Sequence, residues 1–296
     1  KNKDLTISPR FYSTQKALIQ TEYREVNEFS NHNLDFSIFA DSNIYKGHFF
    51  SKSKRKINIE NFDESEVKID IQKSSSDTYL KKNKIKSPVI DSSSLLTSSI
   101  IFDAFREDLS LNLAFTAFED LSRPKGDRFE YIYPNYTLSK KLDNNLKNLN
   151  GNLVLNSNGY QKNFNTNTIE RVIINDFLYT SESQVSNIGI KNNFDFLIKN
   201  SNSDSRKSTR LKEGSNIKFD TIFQYNSSYP LKKELDNYIN ILKPIAAIKF
   251  SPSKTQNISS LDKRFDSTNI FALQRIPTEL GVEGGTSMTY GLEFSK

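Results

Sequence analysis

The stretch DLSLNLAFTAFED (residues 108–120) decides the fold class, because apolar and polar residues alternate along it. Leu109, Leu111, Leu113 and Phe115 share one phase, and the polar residues Ser110, Asn112 and Thr116 lie in the other. Successive side chains of a β-strand point to opposite faces of the sheet. The stretch therefore predicts a long strand with one apolar face and one polar face.

The same alternation recurs along most of the chain, and helical spacing is nearly absent. Further predicted strands carry the apolar sets Leu34, Phe36, Ile38 and Ala40; Val67, Ile69 and Ile71; Ile188, Ile190, Phe194, Phe196 and Ile198; Ile217, Phe219, Phe223 and Tyr225; and Met288, Tyr290, Leu292 and Phe294. Residues 231–242 also fit a helix, but a strand phase through Pro244 is favoured there.

Polar runs and a proline indicate where the predicted strands are interrupted. The runs 73–77, 200–208 and 252–260 are rich in Ser, Asn, Asp and Lys, as surface loops are. Pro134 divides a tyrosine-rich stretch and predicts a bulge or a strand end.

Composition excludes several classes of protein. The 296 residues contain no cysteine, which excludes a disulfide scaffold, thiol chemistry and cysteine-ligated zinc. No apolar stretch is long enough for a transmembrane helix. Aromatic residues make up 12%, which argues against simple disorder. The net charge of +6 is spread over short basic runs, which favours solvated loops over a nucleic-acid interface.

Three features favour a membrane barrel over a soluble sandwich. The predicted strands are long, the mean hydropathy is low at −0.61 although strands are many, and Tyr and Phe gather near strand ends. We therefore predict an all-β fold, an antiparallel transmembrane β-barrel present as an open arc of about a dozen strands. The pattern runs to both ends of the sequence, so we expect a window of a larger barrel.

Candidate chemical sites are scarce. His32 and His48 are the only histidines, no zinc cluster accompanies them, and no G-x-S-x-G motif is present. We expect both histidines to lie in loops or in the barrel lumen. We also expect no catalytic residue, no metal, no cofactor and no enzyme activity. Residues 283–285 (EGG) fit a turn or bulge before the last strand better than an anion-binding nest.

Four blocks of sequence carry a family resemblance. They are DLTISPRFYSTQKALIQTEYREV (4–26), VKIDIQKSSSDTYLKK (67–82), FEYIYPNYTLSKKL (129–142) and FDSTNIFALQRIPTELGVEGGTSMTYGLEF (265–294). Together, and in this order, they resemble the barrel domain of the LPS-assembly protein LptD family (organic solvent tolerance protein) of the alphaproteobacterial type.

The resemblance implies that residues 1–296 are part of an outer-membrane β-barrel, without the family's N-terminal jelly roll and C-terminal half of the barrel. The implied function is transport and insertion of lipopolysaccharide into the outer leaflet of the Gram-negative outer membrane. Implied partners are lipopolysaccharide, an LptE-like plug lipoprotein, a periplasmic LptA-like bridge reached through the missing N-terminal domain, and the barrel-assembly machinery, with no nucleic acid.

One residue is implied for the lateral seam through which such barrels release lipid. Pro9 matches a family proline beside the seam, and a proline weakens strand pairing locally because it has no N–H. The alternative is that Pro9 only marks a strand end or bulge. Two other functions stay open at this point, a general porin or nutrient-uptake channel and a soluble surface or adhesin β-domain.

Overall fold

The protein is described by a computed structural model over residues 2–12, 16–41, 44–143, 150–165, 167–235, 238–255, 264–275 and 278–296. Strands make up nearly all of its regular structure, and every strand pair whose register is described is antiparallel. The predicted all-β antiparallel fold is confirmed.

The described residues form sixteen strands, rather than about a dozen. They are β1 (Lys3–Tyr12), β2 (Lys16–Val26), β3 (Ser30–Asp41), β4 (Ile44–Ile57), β5 (Glu64–Ser74), β6 (Leu95–Arg106), β7 (Leu109–Asp120), β8 (Phe129–Leu142), β9 (Gly151–Phe164), β10 (Thr168–Ser181), β11 (Gln184–Val185), β12 (Lys191–Arg206), β13 (Gly214–Ser228), β14 (Leu231–Leu235), β15 (Tyr238–Ser251) and β16 (Gly285–Ser295).

In the part of the chain that the structure describes, helical structure is limited to α1 (Tyr79–Lys82) and a 3-10 turn at Lys125–Asp127. Among the described residues, no helix has the length and apolar character needed to cross a membrane.

The strands form a sheet in which sequence neighbours are mostly hydrogen-bonded neighbours. The order is β1 to β10 in sequence, then β12, β13, β15 and β14, while β11 pairs with β12 and β16 pairs with β15. Antiparallel neighbours need only short connections, and two residues join β6 to β7. The consequence is a simple up-and-down meander over β1–β10.

The chain forms two compact units. Unit 1 comprises residues 1–138, 159–172 and 204–214, and unit 2 comprises residues 139–158, 173–203 and 215–296.

The core of unit 1 lies beneath the long connection between β5 and β6. Residues 75–94, which we call the strap, include α1 and pack against one face of the sheet. The buried residues of this cluster are Leu18, Phe50, Tyr79, Leu80, Ile85, Val89, Leu96 and Leu121. Four of these eight belong to the strap, so the strap supplies half of the apolar core of this unit.

The core of unit 2 is smaller and has the same design. Leu197 of β12, Ile222 of β13 and Val282 of the connection before β16 are buried together, with Leu178 and Leu273 packed against them. A connecting segment again covers one face of the strands.

Two sequence expectations are corrected by the strands. The polar run 200–208 was expected to be a loop, but residues up to Arg206 continue β12. Its alternate serines Ser201, Ser203 and Ser205 are buried, because small side chains fit where a covered face leaves little room. Strand β8 also passes through Pro134, so the expected strand end there is wrong.

The ambiguous segment 231–242 forms two strands, β14 and the start of β15, which pair as a hairpin. The prediction of a strand there is confirmed. Part of the predicted loop 252–260 lies outside the described residues.

Leu80→Ala tests the strap packing. Leu80 is 1% exposed, and removing its side chain should destabilise the strap by about 2–5 kcal/mol through lost burial and the cavity left behind. Limited trypsin digestion should then cleave faster after the exposed Lys81 and Lys82. Leu95→Ala is the matched control, since Leu95 is 44% exposed, and equal cleavage of both variants would contradict the packing described here.

Candidate functional site

Pro9 lies within β1, opposite Ile19 of β2, and its side chain is exposed. Strand β1 stands at the start of the sheet order and pairs only with β2 among the described strands. A proline in a strand with one unpaired edge is the arrangement that the seam hypothesis needs, because the missing N–H weakens local pairing. Its role at a seam stays a prediction.

One face of the β1–β7 sheet in unit 1 is apolar and exposed. Large side chains line it from strand to strand, among them Leu5, Ile7, Ile19, Phe36, Ile38, Phe49, Ile71, Ile100 and Phe115, each at least 39% exposed. The registers place Phe36 opposite Phe49 and Ile100 opposite Phe115. A contiguous exposed apolar surface of this kind marks contact with another apolar phase or partner.

The opposite face of the same strands carries a buried polar network. Asp35 and Ser37 of β3 and His48 of β4 lie side by side, and the side chains of Asp35 and His48 have no exposed area. His48 Nε2 is 3.1 Å from Asp35 Oδ1, and His48 Nδ1 is 2.7 Å from Ser37 Oγ. The network continues to Tyr79 of the strap, whose hydroxyl is 2.7 Å from Ser37 Oγ.

The donors of this network follow from its acceptors. The Asp35 carboxylate only accepts, so a neutral His48 donates from Nε2 and accepts at Nδ1. Ser37 then donates to His48, and its oxygen is free to accept the Tyr79 hydroxyl. The side chains of Asp35, His48, Ser37 and Tyr79 are thus all hydrogen-bonded, which is what makes such a network tolerable in an interior.

Gln20 and Arg10 complete the network from β2 and β1. Gln20 Nε2 lies 3.1 Å from both carboxylate oxygens of Asp35 and also donates to the carbonyl of Lys86 in the strap, at 2.9 Å. Arg10 donates to the carbonyl of Asn83, again in the strap, at 2.9 Å. The polar face is therefore tied to the strap by side chains from three strands.

Two loop groups at the strap have shifted pKa values. Burial raises the pKa of the Tyr79 hydroxyl, so this group stays protonated and able to donate. A hydrogen bond from Arg128 lowers the pKa of Asp77, and the two side chains are 2.5 Å apart. The strap thus has a charged anchor at its start and a neutral hydroxyl anchor at its centre.

The Ser37–His48–Asp35 contacts form a serine–histidine–aspartate set that was not expected from the sequence. The absence of G-x-S-x-G argued against such a set, but β-strand register, which a motif does not encode, brings these residues together. With the strap in place a substrate has no access to Ser37, which is 2% exposed. Access is a requirement for nucleophilic attack, so the set acts here as a structural network.

The two histidines occupy different settings. His48 is buried on the polar face of β4, whereas His32 is in β3 with Nδ1 3.1 Å from Ser53 Oγ. Among the described residues no group of three or more His, Cys, Asp or Glu side chains is placed to hold a metal.

A charged cavity of about 870 Å³ lies in unit 1 around the β4–β5 and β6–β7 turns. Glu66 accepts from Lys54 and Lys68 at 2.6 and 3.2 Å, and Lys68 also reaches Asp103 at 2.9 Å. Asn112 donates to the same Asp103 at 2.6 Å. These pairs keep this part of the polar face strongly hydrophilic.

In unit 2 the connection before β16 is held by a carboxylate shared between two cations. Glu283 accepts from Lys249 at 2.5 Å and from Arg275 Nε at 3.0 Å. Burial alone would raise the pKa of Glu283, but the hydrogen bonds from Arg275 and Lys249 outweigh it and hold the pKa below its ordinary value. Lys249 is 4% exposed, so its charge is neutralised inside the protein.

The EGG triplet leads directly into the last strand, as expected from its position in the sequence. Gly285 begins β16 with a φ of +94°, which glycine adopts without strain. The Gly284 N–H donates to Thr255 Oγ1 at 3.0 Å, and a Cβ at Gly284 would lie 1.8 Å from the Ser253 carbonyl oxygen. These backbone groups are engaged within the protein, so the alternative of an anion nest is not supported.

Comparisons with known proteins add no family assignment. No protein-family model matches the chain, and no curated protein shows significant similarity to it.

Glu283→Gln tests the shared carboxylate. Because the folded pKa of Glu283 lies below the ordinary value of 4.5, its stabilisation is present above that value and is lost as the pH falls through the folded pKa. The protection factors of the amides of residues 278–285, which are corrected for the intrinsic pH dependence of exchange, should therefore fall as the pH drops below about 4.5. Glu283→Gln should exchange faster at neutral pH and lose most of this pH dependence, whereas Glu293→Gln, at an exposed pair with Lys243, should not.

Proposed function

We propose that this chain is part of a transmembrane β-barrel that transports lipopolysaccharide and inserts it into the outer leaflet of the Gram-negative outer membrane. The observation that carries the proposal is the two-faced sheet of unit 1, apolar and exposed on one side and polar on the other. The substrate in this proposal is inferred from the four sequence blocks that resemble the LptD family.

Strand length supports a membrane location. A tilted transmembrane strand needs about 9–11 residues. Strands β4, β8, β9 and β10 have 14 residues each, and β12 has 16. In a bilayer, strands must satisfy their backbone groups through neighbours, which antiparallel hairpins do. The exposed apolar side chains would then contact lipid, at a location in the outer membrane.

The two faces suit the two halves of a lipopolysaccharide. Acyl chains favour an apolar phase by about 0.8 kcal/mol per buried CH₂ group, whereas sugars require hydrogen-bonding groups and water. In this proposal the sugar part follows the polar face, with groups such as Gln72, Lys68 and Asp103, and the lipid leaves sideways beside Pro9. The transfer makes and breaks no covalent bond, and it requires no cofactor.

The proposed partners follow from the family resemblance. They are lipopolysaccharide as cargo, an LptE-like lipoprotein as plug, an LptA-like periplasmic bridge as donor, and the barrel-assembly machinery for insertion. The structure describes this chain alone, so each partner is part of the proposal.

Depletion of the full-length protein tests the function. Lipopolysaccharide should disappear from the cell surface, as measured by surface labelling, and should return when the wild-type gene is restored. Normal surface lipopolysaccharide after depletion, combined with slower uptake of small hydrophilic solutes, would favour a porin and reject the proposal.

Leu113→Lys tests which face meets lipid. Leu113 pairs with Phe102 on the apolar side of β7, and a lysine there should cost about 2–4 kcal/mol at the bilayer midplane. Asn112→Lys is the matched control, because it lies on the polar face beside the Asp103 carboxylate. Folding in detergent or vesicles, followed by heat-dependent gel migration, measures both. Equal losses would contradict a lipid-facing side, and a protein that stays in the aqueous phase would instead support a soluble surface domain.

A further inference from the structure

We propose that the strap, residues 75–94, is a removable cover over the polar face of unit 1, and that Tyr79 fastens it. The inference rests on the proposed function, since it states how that polar face is regulated. When the strap is in place the face is closed to cargo, and when the strap leaves the face is open.

The first observation is the length of the connection. Antiparallel neighbours such as β5 and β6 need only a short turn, and loops longer than about 12–15 residues are uncommon and usually functional. The strap is longer than this although β5 and β6 pair directly, from Glu64 opposite Phe105 to Asp70 opposite Ser99. The need to join β5 to β6 therefore does not explain the length of the strap.

The second observation is the surface beneath the strap. Beside the apolar contacts it covers Gln20, Asp35, Ser37 and His48, none more than 5% exposed. Burying such groups is costly even when they are hydrogen-bonded, and this cost is recovered when water returns to them. A polar surface therefore makes release of the cover less unfavourable than an apolar surface would.

The third observation is the set of polar contacts that fasten the strap, which is held at its two ends by backbone hydrogen bonds from the Ser75 N–H to Gly47 and from the Leu121 N–H to Ser94. The strap is bonded through Tyr79 to Ser37, through the Asn83 carbonyl to Arg10, and through the Lys86 carbonyl to Gln20. Asp77 pairs with Arg128, and the Ser75 side chain accepts from the Gly47 N–H. Tyr79 is the strap residue that bonds to the buried network through its side chain, because its hydroxyl donates to Ser37, whereas the strap meets Gln20 through the backbone carbonyl of Lys86.

Val89→Cys provides a reporter of opening. The sequence has no cysteine, Val89 is 4% exposed, and cysteine is close to valine in size. In the full-length protein this thiol should react with a maleimide only when the strap is released. Adding Tyr79→Phe should accelerate labelling about fivefold, the effect expected for one lost hydrogen bond. Tyr45→Phe, at a tyrosine that is 73% exposed, is the control and should not change the rate.

A reversible cross-link tests the consequence for transport. Arg10→Cys with Asn83→Cys, joined by a short bis-maleimide that contains a cleavable disulfide, should hold the strap closed. Surface lipopolysaccharide should then fall severalfold and should recover when a reductant cleaves the linker. The same linker between Glu28→Cys and Lys56→Cys joins exposed positions at neighbouring turns and should leave delivery unchanged.

The outcomes separate the strap proposal from the proposed function. Unchanged delivery with the strap cross-linked, or a Val89 labelling rate insensitive to Tyr79→Phe, overturns the strap proposal. If the protein delivers no lipopolysaccharide even without a cross-link, the proposed function fails. The strap proposal is then decided by labelling alone, which the Arg10–Asn83 cross-link must suppress and Tyr79→Phe must accelerate.

Discussion

Antiparallel pairing of neighbouring strands is the constraint on which this structure depends. It satisfies the backbone N–H and C=O groups of each strand through adjacent strands, and it fixes which residues stand side by side. Because side chains alternate, the register in unit 1 places Ile38, Ile19 and Phe36 on one face and Asp35, Ser37 and Gln20 on the other. A shift by one residue would exchange these faces, so the apolar surface and the polar network are specified together.

A polar face inside a protein must be hydrated or must be covered by groups that bond to it. In unit 1 the strap does this, and its apolar residues Leu80, Ile85 and Val89 stabilise it while its hydroxyl and carbonyl groups bond to the network. In unit 2 the connection before β16 does the same with a carboxylate between two cations and with Val282. In both units a long connection covers one face of the strands.

The alternation in the sequence predicted much of the strand content, because period two is a local property that needs no tertiary information. Strands β3, β7 and β13 follow the apolar sets that predicted them. At residues 200–206 the sequence predicted a loop, because serine and asparagine are typical of loops. These residues instead continue β12, and its alternate serines are buried. Of the bulge or strand end predicted at Pro134, the strand end is wrong, because β8 continues through this proline.

By itself the sequence determined the antiparallel β class and the two-faced character of the strands, and its four motif blocks gave the family resemblance. The tertiary structure alone decided that His48 meets Asp35 and Ser37, because strand register joins β3 to β4 and has no signature in either strand. It alone decided that Tyr79 lies over them, since a polar run such as SSSD (74–77) does not reveal whether the following residues leave the sheet or fold back onto it. Such contacts join residues distant in the chain, and they depend on the packing of the whole unit.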